Sequence, residues 1–244
     1  MKTEMALITE NRQIAADTWK MVLKTTIASE TGCGQFVQVQ VPGYFLRRPI
    51  SVCRVLDEEH LVLIYKVVGD GTARMAEMSA GESVDLFGPL GHGFPIEDRD
   101  VLLIGGGVGV PPLLETAARH IKAGHHVTAV LGFNDASGII LEQQFRELGC
   151  DVYTATMDGS AGTKGTVMDA IRQNDINEEY VLSCGPLPML KAVSNAYQKG
   201  YVSLEARMAC GMGACMGCVV KDNDGESLRV CKDGPVFAIG KVVL

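Results

Sequence analysis

The chain reads as an antiparallel β-barrel, then a doubly wound parallel-sheet α/β domain, then a small C-terminal appendage stabilised by a metal. Three observations lead there. Residues 5–90 hold six short stretches of strand character with no long helical pattern between them, as in a small closed barrel. Residues 101–199 alternate apolar strand-like runs with helix-like segments, the order of a parallel sheet covered on both faces. Four of the eight cysteines then fall between 210 and 231.

The barrel candidates are Met5–Ile14, Trp19–Ile27, Gln35–Val41, Ile50–Val55, Leu61–Val67 and Ser83–Leu86. In the third, Phe36, Val37, Val39 and Val41 supply β-branched and aromatic side chains, and Gln38 and Gln40 give a period of two. Gly71–Met78 reads as one short helix before the last strand. The turn formers of Gly88-Pro-Leu-Gly-His-Gly-Phe-Pro95 mark a boundary, which divides the chain into 1–95, 96–200 and 201–244. Val101–Ile104, apolar without alternation, suits a strand buried on both faces. Leu113–Lys122 follows as helix, then His126–Leu131 as strand, Gly138–Leu148 as helix and Asp151–Thr156 as strand. Thr166–Gln173 is the next helix, Tyr180–Ser183 the next strand and Leu187–Lys199 the last helix. Beyond Tyr201, Cys218–Lys221 and Ser227–Cys231 are joined by a hairpin turn at Asp222-Asn-Asp-Gly225 that brings Cys231 back towards the other cysteines. A segment this small cannot form its own core and depends on its metal.

Several positions offer chemistry. Arg48-Pro49-Ile50-Ser51 presents a guanidinium fork and a hydroxyl to a phosphate. Ile64-Tyr65-Lys66 offers backbone groups and an aromatic ring, and Gly71-Thr72 opens a helix whose amides favour an anion. In the α/β domain, Gly105-Gly106-Gly107-Val-Gly109 between strand and helix makes a pyrophosphate cradle, although a third spaced glycine is missing and an ordinary tight turn has the same composition. Cys184-Gly185-Pro186 lies at the end of another strand, where ligands of such sheets sit. His125-His126 has no cysteine nearby and reads as a strand-edge pair. No Ser/His/Asp constellation stands out and no catalytic acid or base is assigned; Cys33, Cys53 and Cys150 are given no role.

Cys210, Cys215, Cys218 and Cys231 form C-x4-C-x2-C followed by a distant fourth cysteine. Chance placement gives the first three at that spacing in about one chain per hundred of this composition. Four thiolates so spaced can hold a [2Fe-2S] cluster, with Gly211, Gly213, Ala214 and Gly217 letting the backbone wrap it and turn amides towards sulfur. A structural zinc site, which more often shows two C-x2-C pairs, is one alternative, and a disulfide pair or redox-inert thiols, disfavoured by the clustering without a secretory signal, is the other.

Composition excludes other classes. A net charge of −7 argues against general nucleic-acid affinity. No apolar run approaches the ~20 residues of a membrane span. The start Met1-Lys2-Thr3-Glu4 lacks a signal-peptide pattern, so a reducing cytoplasmic setting is expected.

The order of barrel with Arg48-Pro-Ile-Ser51, sheet domain with Gly105–Gly109 and Cys184-Gly-Pro186, and terminal cysteines resembles the ferredoxin-NADP reductase superfamily. Within it, C-x4-C-x2-C-x12-C is similar to the electron-transfer subunits of dihydroorotate dehydrogenase B. The resemblance implies FAD on Arg48–Ser51, Ile64–Lys66 and Gly71-Thr72, and NAD on the glycine turn and Cys184–Pro186. It also implies an FMN-containing dihydroorotate dehydrogenase catalytic subunit as partner, in a heterotetramer with two of each subunit, working in pyrimidine (UMP) biosynthesis. Related flavin modules of sulfide dehydrogenases, hydrogenases or ferredoxin:NADPH oxidoreductases share these features, and a zinc-stabilised redox sensor or binding module is the non-enzyme alternative. NAD is expected over NADP, because Gly132-Phe-Asn-Asp135-Ala-Ser-Gly138 carries no cation for a 2′-phosphate and Asp135 would repel one.

Overall fold

A computed structural model describes all of residues 1–244. Six strands close the barrel: β1 (Lys2–Ala15), β2 (Thr18–Lys24), β3 (Phe36–Gln40), β4 (Arg48–Asp57), β5 (His60–Lys66) and β6 (Ser83–Leu90). Their spatial order is β1-β2-β5-β4-β3-β6, with β6 pairing back onto β1. Alternation decides what fills it. Ala6, Ile8, Met21, Leu23, Val37, Val39, Leu61, Leu63, Val84 and Leu86 point inward and share one core, while intervening residues face out. The helix α1 (Asp70–Ala76) adds Met75, and Met78 follows just past its end.

The second sheet is built on β7 (Val101–Gly106), with β8 (Val127–Phe133), β9 (Asp151–Thr156) and the short β10 (Thr163–Lys164) to one side and β11 (Tyr180–Cys184) to the other. These strands are parallel, so their carboxyl ends lie at one edge. The helices α2 (Pro111–Lys122) and α3 (Glu142–Glu147) pack on one face, and α4 (Val167–Gln173) and α5 (Leu187–Ala196) on the other. The first face also meets the barrel. Leu113, Leu114 and Phe145 share a core with Val22, Cys53, Val62 and Ile64. Across that contact the buried Glu115 accepts from Arg54 at 2.7 Å and from Arg119 at 2.8 Å, and Arg119 donates to the Thr31 carbonyl. A buried carboxylate must be paired, so the two arginines fix how the halves meet.

The strands β12 (Lys199–Ser203) and β15 (Val236–Ala238), which pattern alone did not mark, extend this sheet beyond β11. Between them β13 (Val219–Lys221) and β14 (Ser227–Arg229) form the expected hairpin, its turn held by Asp222 accepting from the amides of Asp224 and Glu226. The C-terminal segment is thereby anchored in the sheet at both ends. Its apolar side chains share a core with Phe36 and Leu90 of the barrel and Leu190 of α5.

Three elements depart furthest from expectation. The Gly138–Leu148 helix is confined to Glu142–Glu147, because Ile139 is extended, Leu141 has φ 64°, and Ile140 is turned into the inter-domain core. The Leu187–Lys199 helix ends at Ala196, where Tyr197 is extended ahead of β12. The strand from Trp19 stops at Lys24, since Thr25 accepts from the Ile27 amide and starts a 3-10 turn over Thr26–Glu30.

Candidate functional site

Two crevices and one loop collect the residues singled out by sequence. On the barrel, Arg48 begins β4 and its guanidinium stacks 4.7 Å from the Tyr44 ring centroid while donating to the Leu46 carbonyl. It also lies on the first turn of α1, where a Cβ added at Gly71 would fall 2.2 Å from Arg48 Nε. The absence of a side chain at Gly71 is therefore what lets the guanidinium reach the helix start. Pro49, Ile50 and Ser51 continue β4 beside Gln38, Val37 and Phe36.

Other flavin candidates are placed differently from what their side chains suggested. Thr72 spends its hydroxyl locally, accepting from Val68 and Gly69 amides and donating to the Gly69 carbonyl, so any anion contact here falls to backbone N–H groups and not to this side chain. The Tyr65 ring is inside the barrel, its hydroxyl donating to Asn11 Oδ1 at 2.9 Å; burial pushes that phenol up to about 12. Asn11 in turn donates to the carbonyls of Met75 and Met78, so Tyr65 braces α1 instead of offering a stacking surface. Ile64 is buried between the two halves, and Lys66 is exposed at the strand's end. The period of two places Tyr65 in phase with the inward Leu61 and Leu63, which is the sequence signal for its burial.

In the α/β half, the turns after β7 and β11 meet. These adjacent strands are where the sheet's order reverses, the place such sheets bind nucleotides. A Cβ on Gly109 would lie 2.3 Å from the Cys184 carbonyl, and one on Gly185 3.0 Å from the Gly106 amide. Only glycine permits that approach. Gly105 packs on α2 and Gly106 on Met189 and Pro186, while Gly107 adopts φ 53°. Two Gly-containing turns at sequence positions 105–109 and 184–186 thus form one floor. Cys184 is buried beneath it, its thiol pushed up to about 12 by burial and by the Glu205 carboxylate, against a hydrogen bond with Ser203.

The four clustered cysteines come together at the carboxyl side of β12. The Cys215 amide donates to Cys210 Sγ at 3.3 Å and the Cys231 amide to Cys218 Sγ at 3.4 Å. Burial raises the Cys210 thiol, but the amides of Cys215, Met212 and Ala214 and contact with the Cys215 sulfur hold it down to about 6. Burial and the bonded Cys218 thiol push Cys231 up to about 12. The positive φ of Gly211 (69°) and Gly213 (82°) turns the loop so that these amides aim at sulfur. These hydrogen bonds and thiol contacts tie the cysteines in two pairs, 210 with 215 and 218 with 231, and four thiols so gathered are a donor set that fits a [2Fe-2S] cluster. Cys33, Cys53 and Cys150 lie apart, packed as small apolar groups.

Residues 205–243 match the family described as the iron-sulfur cluster binding domain of dihydroorotate dehydrogenase B, and residues 103–195 match the oxidoreductase NAD-binding domain. Curated relatives from Bacillus cereus (strain AH187) and Bacillus anthracis (strain A0248) are 43% identical over 259 residues, covering all of both chains. Each is a dihydroorotate dehydrogenase B (NAD(+)) electron transfer subunit. The chain belongs to that family. Among solved structures, the NADH-dependent reduced ferredoxin-NADP oxidoreductase studied for flavin-based electron bifurcation is 31% identical, with a TM-score of 0.89 over 98% of this chain and 89% of that one. The ferredoxin reductase in carbazole 1,9a-dioxygenase shares the fold at 20% identity, with a TM-score of 0.70 over 80% of this chain and 64% of that one. No helix is long and apolar enough to cross a membrane.

For an electron transfer subunit of this family, the loop after β8 bears on which nicotinamide cofactor fits. Asp135 accepts from the hydroxyl and amide of Ser137, which holds its carboxyl below the usual range, and Asp158 stands nearby with its amide on the Asn134 carbonyl. Lys164, its stem over Gly159, is the one cation in residues 132–138 and 156–164. A 2′-phosphate bound beside this loop would meet two ionised carboxylates and one lysine. Steady-state kinetics should give NADH a kcat/KM at least about tenfold above NADPH, the ratio that ~1.4 kcal/mol of repulsion produces. Equal efficiencies would overturn this.

Proposed function

We propose that the chain is the electron-transfer subunit of an NAD-dependent dihydroorotate dehydrogenase, carrying electrons from the FMN of a catalytic partner to NAD+ by way of a [2Fe-2S] cluster and FAD. The observation that carries this reading is the pairing of the four sulfurs beside a barrel and a switch-point crevice in one chain. A flavin exchanges two electrons with a nicotinamide and single electrons with a cluster, and so belongs between them. The protein's own part is to bind and orient. Residues 1–95 hold FAD, with Arg48 and the amides of Gly71 and Thr72 at its phosphates, Pro49, Ile50 and Ser51 along its edge, and the backbone of Ile64, Tyr65 and Lys66 nearby. Residues 96–200 hold NAD over Gly105, Gly106, Gly107, Gly109, Cys184, Gly185 and Pro186. Residues 201–244 hold the cluster through Cys210, Cys215, Cys218 and Cys231. The setting is cytoplasmic, the assembly a heterotetramer of two of each subunit, and the product orotate feeds pyrimidine synthesis.

Met212 and Met216 support the docking side of this reading. They are 47% and 63% exposed on the cluster loop, whereas Met208 packs on the segment's core. Exposed flexible methionines beside a redox centre suit a protein interface. The test is reconstitution with an FMN-containing dihydroorotate dehydrogenase. The isolated chain should oxidise NADH with artificial acceptors and show no dihydroorotate oxidation; the mixture should reduce NAD+ with dihydroorotate. Met212→Asp should weaken the complex at least about tenfold, as a charge buried without a partner does, with flavin content unchanged. Dihydroorotate oxidation by the chain alone would refute the division of labour. The 31% likeness to a ferredoxin-NADP oxidoreductase supports a second reading with the same cofactors and another partner, decided by which protein co-purifies with the chain.

A further inference from the structure

Gln38 is fully buried, yet neither Oε1 nor Nε2 has a hydrogen-bond partner. The neighbouring glutamines differ. Gln35 donates to the Gly91 carbonyl at 2.7 Å and Gln40 to the Tyr44 carbonyl at 2.6 Å. Gln38 points out of the barrel on the same side of β3 as Phe36, the face covered by the C-terminal segment with Cys218 and Cys231. Its amide is pressed on the cysteine loop, where a Cβ at Gly211 would lie 2.1 Å from Gln38 Nε2. A methionine or leucine would fill this space without leaving polar atoms bare, so an unpaired carboxamide here calls for a partner that the polypeptide does not provide.

We propose that Gln38 is a positioning residue for the [2Fe-2S] cluster, its Nε2–H donating a hydrogen bond to a sulfur of the cluster held in the Cys210 loop. The inference rests on assigning that cluster to Cys210, Cys215, Cys218 and Cys231. In register, Gln38 pairs with Pro49, inside the Arg48–Ser51 stretch assigned to FAD. One barrel strand pair therefore touches both redox sites. A hydrogen bond to sulfur stabilises the more negative, reduced cluster and raises its potential. Gln38 thus eases transfer of an electron onto the cluster from the partner.

Gln38→Met removes the donor at nearly constant volume. In an EPR-monitored redox titration of the holoprotein with unchanged iron and sulfide content, the reduced-to-oxidised equilibrium of the cluster should fall about tenfold, which is ~59 mV for one electron. A side chain that merely packs would leave the midpoint where it is, and an unchanged midpoint overturns the proposal. If the variant fails to keep its cluster, native holoprotein labelled with side-chain 15N-glutamine decides instead. The reduced cluster should show a 15N coupling by pulsed EPR, and its absence overturns the proposal. Native protein without iron and sulfide would refute the cluster assignment itself, an outcome visible in the metal assay before either experiment.

Discussion

Cys218→Ala leaves a chain that keeps its flavin and oxidises NADH with artificial acceptors, but holds no intact cluster and passes no electrons from dihydroorotate in the reconstituted complex. Cys218 is buried in the segment's core with Val230, Cys231 and Phe237, and its sulfur receives the Cys231 amide. Losing it removes half of one sulfur pair and the metal-derived stability of the hairpin together. The barrel interior and the α4/α5 face of the sheet have their own cores, which include none of the four clustered cysteines, so the flavin and nicotinamide sites should stand. The fall in dihydroorotate:NAD+ activity should exceed the ~100-fold that outer-shell changes around metals cost, because a ligand itself is gone. Iron and sulfide assays, flavin extraction and the two activities measured side by side check it. Full sulfide content in the variant would exclude Cys218 as a ligand.

Arg48→Ala lowers FAD affinity by roughly 10- to 150-fold, the equivalent of about 1.5–3 kcal/mol for a charged, forked donor. The guanidinium is stacked on Tyr44 and laid against Gly71, so it is held in place before any phosphate arrives. Gly71→Ala offers an independent test of that geometry. Its new methyl would fall 2.2 Å from Arg48 Nε and push the flexible side chain away, so FAD should weaken in the same direction while the Arg48 residue remains. Flavin retained on dialysis and in equilibrium titration of both variants would move the phosphate site elsewhere.

The barrel, the wound sheet and the cysteine pattern are legible along the chain because each is written in local terms. A period of two, an apolar run ending in glycines and a ligand spacing do not depend on distant residues. The sequence also marks Arg48, Gly105–Gly109 and Cys184–Pro186, since charge and glycine at element ends have meaning wherever the chain goes. Which way each candidate faces depends on long-range packing. Tyr65 looked like a flavin contact, but its phase on β5 put the ring inside the barrel, where its hydroxyl braces α1 through Asn11. The apolar run at Ile139–Leu141 fitted a helix until packing between the halves broke it at Leu141. Lys199–Ser203 and Val236–Ala238 carry no strong strand pattern; the first is a strand because it pairs on the edge of β11, and the second because it pairs on the edge of β12 that this creates. Gln38 is the sharpest case. On the sequence it was one polar residue in an alternating strand, indistinguishable from Gln40; folding laid residues 205–243 over its face, buried its amide and left it opposite Gly211, 173 positions away along the chain. Burial of a polar group is created by what the rest of the chain places on top of it, and no local pattern encodes that.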